Sequence, residues 1–121
     1  MKIFDSNIII YSSQEDFEYL KPIIKESDSY FSEISRLEVL GYHKITIADK
    51  SYFESLFALI NSISVDKSII ETAIDLRQKR KMGVGDSIIA ATALLYDYEL
   101  HTRNISDFNW IVGLKVINPI I

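Results

Sequence analysis

Four acidic residues stand where strands end or helices begin in the expected fold. Asp5 follows the apolar run KIF, Glu38 lies in SRLEVLGY, Asp86 precedes the alanine-rich run SIIAATALL, and Asp107 lies in TRNISDF. Two like charges about 4 Å apart repel by roughly 4 kcal/mol at an effective dielectric constant of ~20. A hard divalent cation such as Mg²⁺ or Mn²⁺ removes that penalty, because it prefers oxygen ligands. An ion held by four carboxylates can activate a bound water and stabilise charge on a phosphate, so the pattern favours phosphodiester hydrolysis.

Each acid also has a structural explanation. The first is typical of a strand end, and Ser35-x-x-Glu38 has the pattern of a helix capping box. Asp86 stands where an N-cap or a favourable partner of the helix dipole is expected. Asp107 can stabilise a turn together with Asn104. Taken one at a time, the acids are better explained as structural, and only their joint arrangement favours catalysis.

The elements that must position these acids alternate between strand and helix. The expected strands are KIF, SYFSEI, ISV, ELHT and LKVIN. Such alternation predicts a central, mostly parallel sheet covered on both faces, a three-layer α/β/α sandwich. No linker or repeat divides the chain, so we expect a single domain over residues 1–121. In parallel sheets, functional side chains gather beyond the carboxyl ends of the strands.

The expected helices differ in how clearly the sequence marks them. Residues 15–27 predict a helix that Pro22 starts or kinks, and SRLEVLGY predicts a short helix closed by Gly41. A third helix runs on from ITIADKSYF, a fourth is capped by Asp66, and a fifth begins at DSIIAATALLYDY. The apolar face of the third helix is expected to hold Phe53, Leu56, Phe57, Ile60 and Ile63, and that of the fourth Ile69, Ile70, Ala73 and Ile74.

Composition narrows the class of protein. The 121 residues include no cysteine, so a thiolate metal site is excluded, and the net charge is −4. There is no basic, apolar leader and no apolar run near the ~18 residues that a bilayer requires, which favours a cytoplasmic location. A generic nucleic-acid binder carries a basic stripe, whereas here only RQKRK, residues 77–81, is strongly basic.

The two histidines, His43 and His101, have no second histidine at metal-ligand spacing, and we expect both to be structural or exposed.

Four motifs in order resemble the PIN-domain family, in particular the VapC-type toxins of bacterial and archaeal toxin–antitoxin pairs. FDSNIIIY resembles the opening strand of that family, and SEISRLEVLGY is similar to its Ser-x-x-Thr/Ser-x-x-Glu helix. DSIIAATAL resembles Asp-x-x-Ile-Ala-Ala-Thr-Ala, and TRNISDF resembles the closing Thr-x-Asn-x-x-Asp-Phe. The departures are modest: serine stands for threonine at positions 6 and 35, and MGVG occupies a variable segment. None removes a proposed ligand.

The resemblance implies a Mg²⁺- or Mn²⁺-dependent endoribonuclease that is inhibited by a cognate antitoxin and forms a homodimer. The antitoxin of such proteins commonly lays a peptide across the toxin near its active site. The residues implied as catalytic and metal-binding are Asp5, Glu38, Asp86 and Asp107, with Ser6, Asn7, Thr102 and Asn104 as supporting polar residues. The basic residues Arg77, Lys79, Arg80 and Lys81 are expected to contact either the RNA backbone beside Asp86 or an acidic segment of a partner. They suit a solvated helix end near the negative pole of the dipole at least as well.

Two other functions remain open from the sequence. FDSN and GVGD are similar to the acid motifs of haloacid-dehalogenase phosphatases, although Asn7 stands where the second acid of that chemistry belongs. The alternative is a PIN-like module that binds an antitoxin or another protein and has weak or no nuclease activity, which the acidic net charge favours.

Overall fold

The computed structural model describes residues 1–121 and is built on a five-stranded sheet in which every strand pair is parallel. The strands are β1 (Lys2–Phe4), β2 (Ser29–Ser32), β3 (Asn61–Ile63), β4 (Glu99–His101) and β5 (Val116–Ile117). Their order across the sheet is β3-β2-β1-β4-β5, so β1 is central and has β2 and β4 as neighbours. All five predicted strands are present, although β3 begins two residues before the predicted ISV.

Seven α-helices connect and cover these strands. They are α1 (Ser6–Tyr11), α2 (Leu20–Ile24), α3 (Glu33–Leu40), α4 (Ile47–Leu59), α5 (Lys67–Lys79), α6 (Val84–Tyr96) and α7 (Ile105–Phe108), with a 3₁₀ helix at Glu15–Phe17. None of them is long and apolar enough to cross a lipid bilayer.

The sheet has a hydrophobic core on each face, which confirms the three-layer prediction. One core joins the sheet to α5, α6 and α7, and the other joins it to α1, α2, α3 and α4. Neighbouring side chains on a strand point to opposite faces, so Ile3 enters the first core and Phe4 the second. Helix α6 is buried without interruption from Ser87 to Ala93, because its alanines let it lie close to the sheet and to α5.

Two predictions about helices are wrong. Residues 15–27 do not form one helix, since only α2 is α-helical there. The buried residues of α2 are Leu20 and Ile24, so tertiary packing stabilises little more than one helical turn. In α5 the buried stripe is Ile69, Ala73 and Leu76, whereas Ile70 and Ile74 are 39% and 44% exposed. The two isoleucines lie about 100° further round the helix than the stripe.

Helix α4 is shorter than its predicted apolar face. Phe53, Leu56 and Phe57 are buried on α4 as predicted, but Ile60 is its C-cap and Ile63 belongs to β3. Both isoleucines are buried, so the apolar pattern continued past the end of the helix. The predicted cap of α5 is confirmed, because the Asp66 carboxylate accepts a hydrogen bond of 2.9 Å from the Ile69 amide.

Candidate active site

The four predicted acids lie at the carboxyl end of the central strands. Asp5 directly follows β1, and Glu38 lies in α3, the helix that follows β2. Asp86 lies in the first turn of α6, and Asp107 lies in α7, just after β4. The last location corrects the predicted loop around Asp107. Parallel strands present their carboxyl ends at one edge, which is why segments so far apart in the chain meet there.

Asp5 is held by its neighbours on both carboxylate oxygens. Its Oδ1 accepts a 3.0 Å hydrogen bond from the Ile8 amide and so caps α1, while its Oδ2 accepts one from the Thr102 hydroxyl. The Thr102 hydroxyl also accepts a 3.1 Å hydrogen bond from the Asn104 amide. Asp5 is only 4% exposed, and burial raises the pKa of its carboxyl above the ordinary value although the hydrogen bonds from Thr102 and Ile8 act in the opposite direction.

Glu38 is exposed, and the chain orients it from two sides. The Ser6 hydroxyl donates to Glu38 Oε1 over 2.7 Å and lies 3.0 Å from the hydroxyl of Ser35. Gly85 in α6 is the second neighbour: a Cβ atom at that position would lie 2.5 Å from Glu38 Oε2. The glutamate carboxylate therefore rests against the first turn of α6, in space that only glycine leaves free.

The capping explanations of Glu38 and Asp86 are both wrong. Ser32 caps α3 by accepting a 3.2 Å hydrogen bond from Ile34, so Ser35 lies inside the helix and forms no capping box with Glu38. Helix α6 begins at Val84 with Gly83 as its N-cap, which places Asp86 inside the first turn. That position still favours a negative charge.

The backbone of Asp107 makes the predicted turn, because its amide donates a 3.0 Å hydrogen bond to the Asn104 carbonyl. The Asp107 carboxylate takes no part in this turn.

The acids act on one another without a compensating cation. Burial raises the pKa of the Asp86 carboxyl, and the negative charges of the other three acids raise it further. None of the seven ion pairs of the protein includes any of the four. The edge of the sheet therefore carries concentrated, unneutralised negative charge.

This donor set suits a hard divalent cation, although the side chains do not form a closed cage. As they stand, no three acidic or histidine side chains are arranged to hold one metal ion. Mg²⁺ takes only one or two carboxylates directly and keeps several waters, so it does not need three converging side chains. Carboxylate oxygens with no cationic partner provide the ligands it prefers.

The supporting residues make unequal contributions. Ser6 and Thr102 bind acids directly, and Asn104 acts through its backbone amide. Asn7 is exposed, and only its backbone acts on Asp5. Both histidines lie where the sequence indicated: His43 is exposed, and His101 is buried with its ring centroid 5.3 Å from that of Phe4.

The basic segment at the end of α5 opens onto the same edge. A cleft of about 560 Å³ is lined both by the basic residues Arg77, Arg80 and Lys81 and by the acids Asp86 and Asp107. Lys79 does not line this cleft. Two residues near the acids were not identified from the sequence. They are Trp110, which also lines the cleft, and Gly85. Gly85 could have been noticed as the residue directly before an acid at a helix start, but its role depends on α3 lying beside α6.

A parallel three-layer sheet with four acids at its carboxyl edge is the arrangement of PIN domains. The family description "PIN domain" matches residues 2–108, and the chain belongs to the PIN-domain family. The sequence is 30% identical over 108 residues to "Ribonuclease VapC1" of Rickettsia felis, a match that covers 82% of this chain and 74% of that protein. The resemblance inferred from the four motifs is therefore confirmed, and membership of this family removes the haloacid-dehalogenase interpretation.

Solved structures carry the same fold. A chain of a toxin–antitoxin complex from Klebsiella pneumoniae superposes with a TM-score of 0.81 at 30% identity, covering 99% of this chain and 98% of that one. A chain of VapBC2 from Rickettsia felis, bound to a DNA fragment from its promoter, gives a TM-score of 0.80 at 19% identity, covering 97% of each chain. The second likeness shows the fold alone.

Proposed function

We propose that this protein is a Mg²⁺- or Mn²⁺-dependent endoribonuclease and the toxin of a toxin–antitoxin pair. The observation that carries the proposal is the edge at which the charges of three other acids act on Asp86 while none of the four forms an ion pair. The relative named as a ribonuclease and the neighbour solved as a toxin–antitoxin complex support the same function.

The residues of the chain have distinct roles in this proposal. Asp5, Glu38, Asp86 and Asp107 would hold the metal, which supplies a nucleophilic water and charge stabilisation at the RNA phosphate when bound. Thr102 holds the Asp5 carboxylate, and Ser6 holds that of Glu38, so both residues fix the direction in which an acid points. Such neighbours of metal ligands commonly affect metal affinity or activity 10–100-fold.

The direct test is cleavage of a panel of structured RNAs with Mg²⁺, with Mn²⁺ and with EDTA. We expect cleavage only with a divalent ion, and its loss in Asp86→Asn while the folded state is retained by circular dichroism. Full activity of that variant would remove Asp86 from the chemistry.

A second candidate function is a PIN-like protein-binding module without nuclease activity. Two observations favour it: the net charge of −4, which opposes RNA, and the absence of three acids arranged around one point. Calorimetric titration with Mn²⁺ separates the two functions, because a pure binding module has no need to bind an ion at the acids. Saturable binding that Asp86→Asn abolishes supports the nuclease.

The proposed antitoxin has a groove beside the acids to occupy. A groove of about 450 Å³ is lined by Glu38 and by residues from α1, α3, α4 and the segments next to them, and its apolar lining is Ile10, Val39, Tyr42, Ile45 and Phe53. It would take a peptide whose apolar side chains enter the groove while a basic group approaches the acids. Tyr42→Ala is expected to weaken co-purification with a co-expressed antitoxin, whereas unchanged recovery would place the partner elsewhere. Toxin, antitoxin and RNA would meet in the cytoplasm.

The proposed homodimer has an apolar strip on α5 and α6. Ile70 and Ile74 are exposed there and line a groove together with Val84. Ile74→Glu is expected to shift the sedimentation of a dimer to that of a monomer. Ile47→Glu, on the opposite side of the sheet and 91% exposed, is the matched control that should not change it.

A further inference from the structure

The cleft beside Asp86 and Asp107 contains an arginine and a tryptophan that have no role in the proposed catalysis at the acids. The Arg80 guanidinium lies 5.5 Å from the centre of the Trp110 ring, so a cation and an aromatic face meet at this point. The indole is held in place because Trp110 Nε1 donates a 2.9 Å hydrogen bond to the Asp107 carbonyl. The aromatic platform is thereby tied to the backbone of an acid.

The cations of this cleft have no acidic partners. Arg77 is fixed by a 3.1 Å hydrogen bond from its Nε to the Met82 carbonyl, which leaves its terminal nitrogens free for a ligand. Neither Arg77, Arg80 nor Lys81 takes part in an ion pair. The protein is acidic overall, so three cations without ion-pair partners in the one cleft that Trp110 lines are a local excess of positive charge.

We propose that this cleft binds a nucleotide of single-stranded RNA next to the scissile phosphate, with its base against Trp110 and its phosphate at Arg77, Arg80 and Lys81. The inference rests on the proposed nuclease function and adds the side from which the strand approaches the acids. A volume of about 560 Å³ is within the usual range for a small-ligand site. Bases stack on aromatic side chains whatever their sequence, and arginines add a cation–π contribution.

An acidic peptide is the competing ligand, and the cleft fits it less well. A carboxylate would use the three cations but would not stack on the Trp110 indole, which would keep only its contact with Arg80. A nucleotide uses both features at once, because its flat base and its phosphate are one covalent unit. Single-stranded RNA is recognised in this way by aromatic and arginine side chains in general.

The protein provides its own probe of this cleft, because Trp110 is its only tryptophan. Titration with a short single-stranded RNA in EDTA, where no cleavage occurs, should quench the intrinsic fluorescence. An abasic oligonucleotide of equal length keeps the phosphates and removes the bases, so it should bind more weakly and leave the fluorescence nearly unchanged. Polyglutamate is the third ligand: quenching or tighter binding by it would overturn the assignment to RNA.

Variants then test the cations, with anisotropy of a labelled RNA as the measurement. Arg80→Gln and Lys81→Gln should each weaken binding and lower the slope of log Kd against log salt by about 0.7, the value for one single-strand phosphate contact. Trp110→Leu should weaken binding by roughly tenfold, in line with the loss of one stacked base. Lys67→Gln removes the same charge at the other end of α5 and is expected to bind as the wild type does.

The outcomes separate this inference from the proposed function. If the wild type cleaves RNA with Mg²⁺ but Arg80→Gln and Lys81→Gln bind like Lys67→Gln, the cleft is not the subsite and the nuclease stands. If quenching occurs and depends on these cations while no divalent ion supports cleavage, the cleft binds RNA and the nuclease proposal fails.

Discussion

Gly85→Ala tests whether the position of the Glu38 carboxylate matters for the proposed chemistry. The new methyl group would lie 2.5 Å from Glu38 Oε2 and 2.9 Å from its Cδ, whereas ordinary contact begins at 3.4 Å. The carboxylate must then retreat by about 1 Å, and a misplacement of that size can cost about a hundredfold in rate. It can retreat because it ends a flexible, exposed side chain, although the 2.7 Å hydrogen bond from Ser6 is lost.

The same substitution should leave the stability of the protein almost unchanged. Alanine is favoured over glycine inside a helix by up to about 1 kcal/mol, and Gly85 lies in the first turn of α6. Loss of the hydrogen bond between Ser6 and Glu38 costs about 1 kcal/mol in the other direction. We therefore expect kcat/KM for RNA cleavage to fall about a hundredfold while Tm changes little.

Gly83→Ala is the matched control for this experiment. It makes the same change two residues earlier, where a Cβ atom has no neighbour within 4 Å. Cleavage kinetics, thermal unfolding and Mn²⁺ calorimetry on both variants separate a displaced carboxylate from a general effect on the start of α6. Gly83 lines the cleft that contains Asp86 and Asp107, so Mn²⁺ affinity is the deciding comparison. Equal Mn²⁺ affinity of the two variants would refute the reasoning, since only Gly85 contacts Glu38.

Three further predictions concern charge and burial. Asp86→Asn should abolish cleavage and, in metal-free unfolding experiments at neutral pH, raise Tm. The pKa of Asp86 is raised in the folded protein, so its ionised form destabilises the fold and the neutral amide does not. The gain in Tm should disappear below pH 3.8, where the carboxyl is protonated in the unfolded chain as well. Thr102→Val keeps the shape but removes the donor to Asp5, which should cost about 1–3 kcal/mol in denaturant unfolding. It should also weaken Mn²⁺ binding by about 10–100-fold in calorimetry, and unchanged affinity would contradict a positioning role for Thr102. Burial lowers the pKa of His101, so on acidification the unfolded chain is protonated at this residue before the folded protein is. The free energy of unfolding should therefore fall as the pH drops below 6.5. This dependence on pH should be weaker in His101→Leu.

Much of the fold was predictable because its signals are local. The apolar run before Asp5, the alanine-rich stretch after Asp86 and the cap at Asp66 each act within a few residues. Alternation of strand and helix then limits the topology to a parallel sheet, and a parallel sheet brings its carboxyl ends to one edge. The placement of the four acids at one edge could be inferred from the sequence for this reason, whereas the family was inferred from the resemblance of four motifs.

Tertiary structure decided what no local pattern contains. Hydrophobic periodicity shows that α5 has an apolar face, but only packing against α6 and the sheet decided that Ile69 is buried and Ile70 is not. The hydrogen bond from Thr102 to Asp5 joins residues 97 positions apart. The need for glycine at position 85 depends on a carboxylate that arrives from another helix. Such contacts depend on how whole elements pack against one another, whereas sequence patterns report the preferences of each element alone.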